Sequence, residues 1–262
     1  MHEIPPHDPG RVIDWGKTSE DYAKFRPGPP ESFYRRLAAL DIGLPGQRLL
    51  DLGTGTGVLA RTFAKRGVQI SATDISDEQI RVAKELAAGA DQTIDFRVAA
   101  AENQPYSDHG FDVITANQCW LYFDKARIIP EVKRLLRSEG LLVTSHLSWL
   151  PREDEIARAT ESLVLKFNPQ WTAGNFSGVI PPFPHWAEKH FRLRAMFYYD
   201  EQIPFTIETW RGRIRACRGI GASLTPEEVQ LFDEAHEKML RELVGERFTV
   251  LHRMDAHVFE PI

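Results

Sequence analysis

The chain is predicted to fold as an α/β protein, a doubly wound sheet with helices on both faces. Three observations carry this. Leu49-Leu50-Asp51-Leu52 reads as a buried strand that breaks into Gly53-Thr54-Gly55-Thr56-Gly57 and then opens a helical pattern. A second strand-like run, 68–73, ends on an acid, Asp74. Beyond it, strand and helix patterns alternate, which implies a mainly parallel sheet.

Taken in order, strands are expected at 48–52, 69–73, 94–98, 112–116 and 141–145. Helices are expected at 57–65, 77–88 and 124–136. Ser76 is the N-cap of the second helix, with acids in its first turn. Lys133, Arg134 and Arg137 close the third, and Gly140 ends it. A sixth strand at 191–199 alternates, with Phe191, Leu193, Ala195, Phe197 and Tyr199 on one face. A last strand is expected at 248–258. Between these two lies an insertion, 202–246, with two helical patterns. One opens at Thr225-Pro226-Glu227-Glu228, a cap followed by proline and acids, and carries Phe232, Ala235, Met239 and Leu243 as a packing stripe. Residues 168–186 are rich in proline and aromatics. The expected organisation is one domain, 1–262. It has an N-terminal helical cap at 1–40, a nucleoside-binding core at 41–148, and segments 149–186 and 202–246 as lids. The last two strands occupy 187–201 and 247–262. Ligands of open sheets bind beyond the carboxyl ends of the strands, where such lids exclude water.

The chain's 262 residues suffice for a full core. A net charge of -5 gives no electrostatic argument for nucleic acid. Cys119 and Cys217 offer no disulfide framework and no zinc spacing, so no metal is expected and both read as ordinary buried thiols. Residues 1–10 are polar and proline-rich with no apolar signal region, and no run approaches a membrane span. A cytoplasmic protein with no membrane partner is expected. Oligomeric state is not legible.

Glycine spacing decides which nucleoside is held. A dinucleotide fingerprint, G-x-G-x-x-G, needs a third glycine where Val58 stands; Gly57 comes one residue early. Asp51 also precedes the loop, where it would repel a pyrophosphate. A cofactor with an ammonium and no phosphate suits that charge, and S-adenosylmethionine is one. Asp74 suits the two ribose hydroxyls.

The run Asp51–Gly57, D-L-G-T-G-T-G, resembles the first motif of class I S-adenosylmethionine-dependent methyltransferases, and Asp74 their ribose-binding acid. Ala101-Glu102-Asn103-Gln104-Pro105-Tyr106 is similar to their A-E-x-L-P-F segment beside the adenine. Phe111-Asp112-Val113-Ile114 and Leu135–Leu142 resemble the fourth strand and the passage into the fifth. The resemblance covers roughly 49–145 and is nearest to the small-molecule group that includes the ubiquinone-biosynthesis enzymes. It implies a seven-stranded Rossmann-like methyltransferase sheet, last strand antiparallel, with helical lid insertions. It also implies S-adenosylmethionine as cofactor, S-adenosylhomocysteine as product and a small-molecule acceptor. Ala100 departs from the pattern: many relatives have an acid there that accepts from the adenine amino group. Backbone groups around Ala101 and Glu102 would then hold the adenine.

Gly53, Thr54, Gly55 and Gly57, with Asp51, Asp74, Ile75, Ala101, Glu102 and Asn117, are the cofactor candidates. Tyr22 and Arg26 join them, because Tyr22 and Arg26-Pro27-Gly28 resemble the family's Y-x-x-x-R-P-G stretch at the methionine end. Trp120 and Tyr122 either wall the acceptor pocket or pack the lid. Asn117 through Trp120 is weakly similar to the N-P-P-Y motif of amino-methylating enzymes, without its prolines. Trp210, Arg211, Arg215 and Arg218 are substrate candidates: on a helix the three arginines share one face and would fork onto a carboxylate, unless acids pair them first. The W-R-G-R passage faintly resembles methyltransferases of acids such as trans-aconitate. His146, His185 and His190 are candidate bases. The expected chemistry is in-line methyl transfer, which needs mainly alignment in a dry cavity, and a base only for a hydroxyl or ammonium acceptor. The alternatives are a non-catalytic cofactor-binding module and an aminopropyltransferase. The latter is disfavoured by Asn117 and Gln118, where acids would grip a polyamine.

Overall fold

The structure is a computed structural model that describes residues 8–10 and 13–262. Most of the polar start read over 1–10, and part of the cap read over 1–40, lie outside the described residues. The chain divides into two compact units. The sheet unit comprises Gly28–His146, Ile180–Tyr198 and Met254–Ile262; the helical unit comprises the described residues up to Pro27, Leu147–Val179 and Tyr199–Arg253.

The elements in chain order are α1 (Ser19–Phe25), α2 (Glu31–Ala38), β1 (Arg48–Leu52), α3 (Val58–Ala64), β2 (Gln69–Asp74), α4 (Asp77–Ala88), β3 (Asp95–Val98), β4 (Phe111–Asn117), α5 (Lys125–Leu135), β5 (Leu136–Trp149), α6 (Glu155–Phe167), β6 (Phe191–Thr206), α7 (Ile207–Arg215), α8 (Pro226–Leu243) and β7 (Arg247–Pro261). The seven strands lie in the order β3-β2-β1-β4-β5-β7-β6. The first five are parallel. The last strand is antiparallel. Ile262 N donates to His190 O at one end of the β6–β7 pair and Ile207 N to Glu246 O at the other, so one strand ascends as its neighbour descends. β1 lies between β2 and β4, and four of its five residues are buried, as a strand covered on both faces requires.

In the sheet unit, Leu50, Ile114, Val132 and Leu142 pack with Trp120, Phe191 and Phe259 in one core. Ser76 caps α4 by accepting from Gln79 N at 3.3 Å, and Asp77 and Glu78 meet the positive end of the helix dipole. α5 stops at Leu135, and Gly140 does not end it. β5 begins at once, and a two-residue step on β4 (Phe111 to Val113) faces a five-residue step on β5 (Leu136 to Leu141). Glu139, φ 65°, takes the left-handed turn. Gly140 is small because an added Cβ would sit 2.9 Å from Arg137 O.

The helical unit has its own core, with Trp210, Ile214, Phe232, Leu240 and Val250 at its centre. α8 starts as read. Thr225 Oγ1 accepts from Glu228 N, Glu228 returns a carboxylate to Thr225 N, and Pro226 stands at the first turn. Its buried stripe, however, is Phe232, His236 and Leu240, with Leu243 at the surface. The neutral ring of His236 disguised the stripe. Trp210 Nε1 donates to Thr160 Oγ1 (3.0 Å), which lies 3.2 Å from His236 Nε2. Burial pushes His236 down to about 3, so the ring shares that hydrogen bond as a neutral imidazole. α6 was missed because its buried face, Ala157, Thr160, Glu161 and Val164, carries two polar residues.

Thr225→Ala should cost about 1 kcal/mol in urea denaturation, the usual worth of an N-cap. Gly212→Ala should cost more, about 1–3 kcal/mol, because an added Cβ would overlap the Phe25 ring.

Candidate functional site

Two carboxylates organise the turn after β1. Asp51 is 2% exposed; it accepts from Thr54 Oγ1 at 2.6 Å and from Thr115 Oγ1 on β4 at 2.7 Å. Burial pushes it up to about 6 against the pull of these hydroxyls, and the Asp74 charge adds to the rise. Asp74 ends β2, and the parallel β1–β2 register brings it beside the turn. It accepts from Gly55 N at 2.8 Å and Ser76 N at 3.0 Å. Burial raises it too, opposed by the N–H groups of Ser76, Gly55 and Ile75.

Gly53, Gly55 and Gly57 have φ of 60°, 57° and 76°, a left-handed path that side chains resist. The close approach here is also within the chain. A Cβ on Gly53 would lie 2.9 Å from Cys119 Sγ, and one on Gly57 2.9 Å from the Phe96 ring. Thr54 N closes onto Thr73 O at 2.9 Å. Beside Asp74, two apolar residues stand exposed: Ile75 at 71% and its near neighbour Val98, in register with Asp74, at 53%. The sequence reading named Ile75 and missed Val98. Its signal was an apolar residue closing the strand opposite the acid.

Ala101 is buried, and Glu102 accepts from Asp124 N at 2.9 Å. Ala100 O already takes Asn103 N and Gln104 Nε2. Asn117 ends β4 and its Oδ1 accepts from Ser145 Oγ at 3.0 Å; Gln118, φ 67°, turns the chain there. Cys119 donates to Leu52 O, and burial pushes its thiol well up, so it is an inert packing group.

The three histidine candidates separate. His146 Nδ1 lies 3.2 Å from the buried Asp255 carboxylate. Burial pulls His146 down, but the Asp255 carboxylate more than offsets it and the net shift is upward. Donation from Nδ1–H leaves Nε2 as the basic atom. His257 stands 4.0 Å from the same carboxylate, but its Nε2 is committed to Pro181 O at 2.8 Å. His185 is 90% exposed on the surface beside Glu188, and His190 is exposed. Asp255 was not read from sequence, since it lies 109 residues from His146.

The substrate candidates fare differently. Trp120 is 3% exposed and packs on Trp186 at 4.8 Å, a core residue of the sheet unit; Tyr122 is half-buried. Trp210 is fully buried and serves the Thr160 relay. α7 ends at Arg215, so Arg218 leaves the face it was expected to share. Acids already pair the arginines. Arg211 binds Asp233 and Glu237, Arg215 binds Asp21 and Asp233, and Arg218 binds Asp8. The cleft of about 440 Å³ beside Arg211 and Arg215 is lined equally by Glu20, Asp21 and Glu208. Tyr22 and Arg26 lie in the helical unit, the guanidinium 5.1 Å from the ring. Among the described residues no group of three or more His, Cys, Asp or Glu is placed to hold a metal, and no helix is long and apolar enough to cross a membrane.

The strand order with its one antiparallel strand, the glycine turn and the acid at the end of β2 define the class I methyltransferase fold. Residues 50–144 match the family described as Methyltransferase domain. The chain is 35% identical over 152 residues to an uncharacterized methyltransferase of Mycobacterium tuberculosis, covering 57% of each chain. It thus spans little more than half the length of that relative. It is 29% identical over 180 residues to a ubiquinone biosynthesis O-methyltransferase of Xanthomonas campestris, covering 68% of this chain and 73% of the relative. In fold it is similar to a SAM-dependent methyltransferase from Thiobacillus denitrificans in complex with S-adenosyl-L-homocysteine. The TM-score is 0.58 at 21% identity, covering 95% of this chain and 98% of that one.

Asp51 makes a prediction with a definite sign. Its native pKa, about 6, lies above its ordinary value of 3.8, so the native state holds a proton that the unfolded state releases between these values. The stabilisation this gives is fully present below the unfolded value and is lost as pH rises through the native one. Asp51→Asn cannot titrate. Urea melts should show it gaining on the wild type, by on the order of 2–3 kcal/mol, as pH rises from about 4 to 7.

Proposed function

We propose that the protein transfers a methyl group from S-adenosylmethionine to a small-molecule acceptor. The observation that carries this reading is Asp74, bonded through one oxygen to Gly55 of the turn. Three backbone N–H groups take part of its roughly four lone-pair sites and leave room for a hydroxyl donor, which fits a ribose diol. Ile75 and Val98 offer an exposed apolar surface beside it, which fits an adenine. The left-handed turn brings backbone, not side chain, toward the ligand. Asp51 supplies a negative field at the turn, which suits an ammonium and opposes a pyrophosphate.

When bound, the cofactor supplies an electrophilic methyl on an excellent leaving group. The remaining work falls to the chain. Ser145 of β5 holds Asn117 at the carboxyl end of β4, the edge at which ligands of open sheets bind. His146 follows Ser145, and Asp255 orients its ring so that Nε2 takes the proton of a hydroxyl or ammonium acceptor. A carboxylate acceptor needs no such step. A sensing module would bind the cofactor without turnover.

Calorimetry with S-adenosylmethionine and S-adenosylhomocysteine, and label transfer from methyl-labelled cofactor into a metabolite extract, test the reading. Tight NADH binding with no heat from either adenosyl compound would overturn it. Asp74→Ala should weaken S-adenosylhomocysteine at least about tenfold, on the order of 1.4 kcal/mol. With a protonated acceptor, His146→Asn should lower turnover by about 10²–10⁴. Because Asp255 raises the His146 pKa, the wild-type rate should rise with pH through a value above the ordinary 6.5.

A further inference from the structure

Arg213 is the exception among the arginines of α7 and the turn after it. Arg211, Arg215 and Arg218 each meet a carboxylate. Arg213 is 4% exposed and, among the described residues, meets none. Among the described residues its one side-chain hydrogen bond runs from Nη1 to Cys217 Sγ at 2.9 Å, and its buried Nε has no partner. Its guanidinium carbon lies 5.0 Å from the Trp149 ring. The acid nearest that ring in bonding terms, Glu161, is committed elsewhere, to Trp149 Nε1 and Asn175 N. A second cation adds to the imbalance: the charge of Arg26 bears on Arg213, which burial chiefly brings down to about 10. His252 lies against the same Trp149 ring, at 6.4 Å. Its Nδ1 is held by Val250 O, and its buried Nε2 has no partner among the described residues. Burial pushes it down to about 3, so it brings neither a third charge nor a compensating one.

A guanidinium cannot shed its proton at neutral pH, so it cannot escape the cost of burial as a lysine would. Stacking on one indole offsets only part of that cost, because a buried cation needs a counter-charge and filled hydrogen bonds. The protein nonetheless seats this arginine in the helical unit between an indole and a thiol, with the charge of a second arginine bearing on it. That arrangement lacks one component, an anion with oxygens for a planar fork.

We propose that Arg213 is an anion site of the helical unit that binds the carboxylate of a small organic acid. The other source of the same chemistry is the carboxylate of the cofactor's own amino-acid tail, and the experiment separates the two.

The wild-type protein, saturated with S-adenosylhomocysteine, is titrated with succinate, citrate and trans-aconitate, and with inorganic phosphate as the non-planar control. Calorimetry and tryptophan fluorescence, to which Trp149 contributes, report binding. At least one carboxylate should bind below about 1 mM, and more tightly than phosphate. Arg213→Gln and Arg213→Lys should each weaken it at least about tenfold, the lysine because a point charge lacks the fork. S-adenosylhomocysteine affinity should stay within about threefold in both. If both variants lose S-adenosylhomocysteine as severely as the acid, the anion is the cofactor's tail and the proposal falls. If no carboxylate binds the wild type up to about 10 mM, it falls without any variant, so a variant that fails to fold leaves the test intact. Acid binding without S-adenosylhomocysteine binding would instead sink the methyl-transfer reading and leave the anion site standing.

Discussion

The buried carboxylate of Asp51 is the constraint from which the sheet unit is organised. It holds the first residues of the glycine turn through Thr54 and the neighbouring strand through Thr115. A group this buried is tolerated only because both oxygens are bonded, and the residual strain appears as a carboxyl pushed up to about 6. Asp74 completes the arrangement from the other side by taking Gly55 N. The turn is thus clamped between two acids, on β1 and β2, and its glycines follow a path that a Cβ would obstruct. Preorganisation of this kind means that little ordering remains to be done when a ligand arrives.

The helical unit solves a different problem. Its arginines lie on a short helix, α7, whose last turn favours cations, and on the turn after it, yet burial there demands partners. Asp21, Asp233, Glu237 and Asp8 supply them for three of the four considered. These pairs bind acids of this chain, so the outward face of α7 is structural. Arg213, on the inward face, takes an indole and a thiol instead. One helix therefore separates ion pairs that hold its neighbours from a cation left uncompensated.

Much of the site was legible because its chemistry is local. The strand, the glycines and the acid at the end of the next strand are close in sequence, and their spacing alone rejected a dinucleotide. Residues that act through long-range partners were not. Asp255 meets His146 only because β7 returns antiparallel. Val98 comes beside Asp74 only through the β2–β3 register. Of the two outcomes open for the arginines, pairing by acids holds for Arg211 and Arg215, because carboxylates from α1 and α8 reach them, and Arg218 leaves the shared face because α7 ends at Arg215.

What the sequence determined by itself was the pattern of period and punctuation. Continuous apolar runs, caps and glycines set β1, α4 and the start of α8, since those signals are made by a few neighbouring residues. What only tertiary structure decided was which polar groups are consumed inside the molecule. Trp210, Arg211 and His236 look available in a linear chain and are spent on buried or paired contacts, while Arg213, unremarkable in the same run, is left wanting. A charge's worth depends on what the fold places beside it and how far it is withdrawn from water, and neither is written in the order of residues.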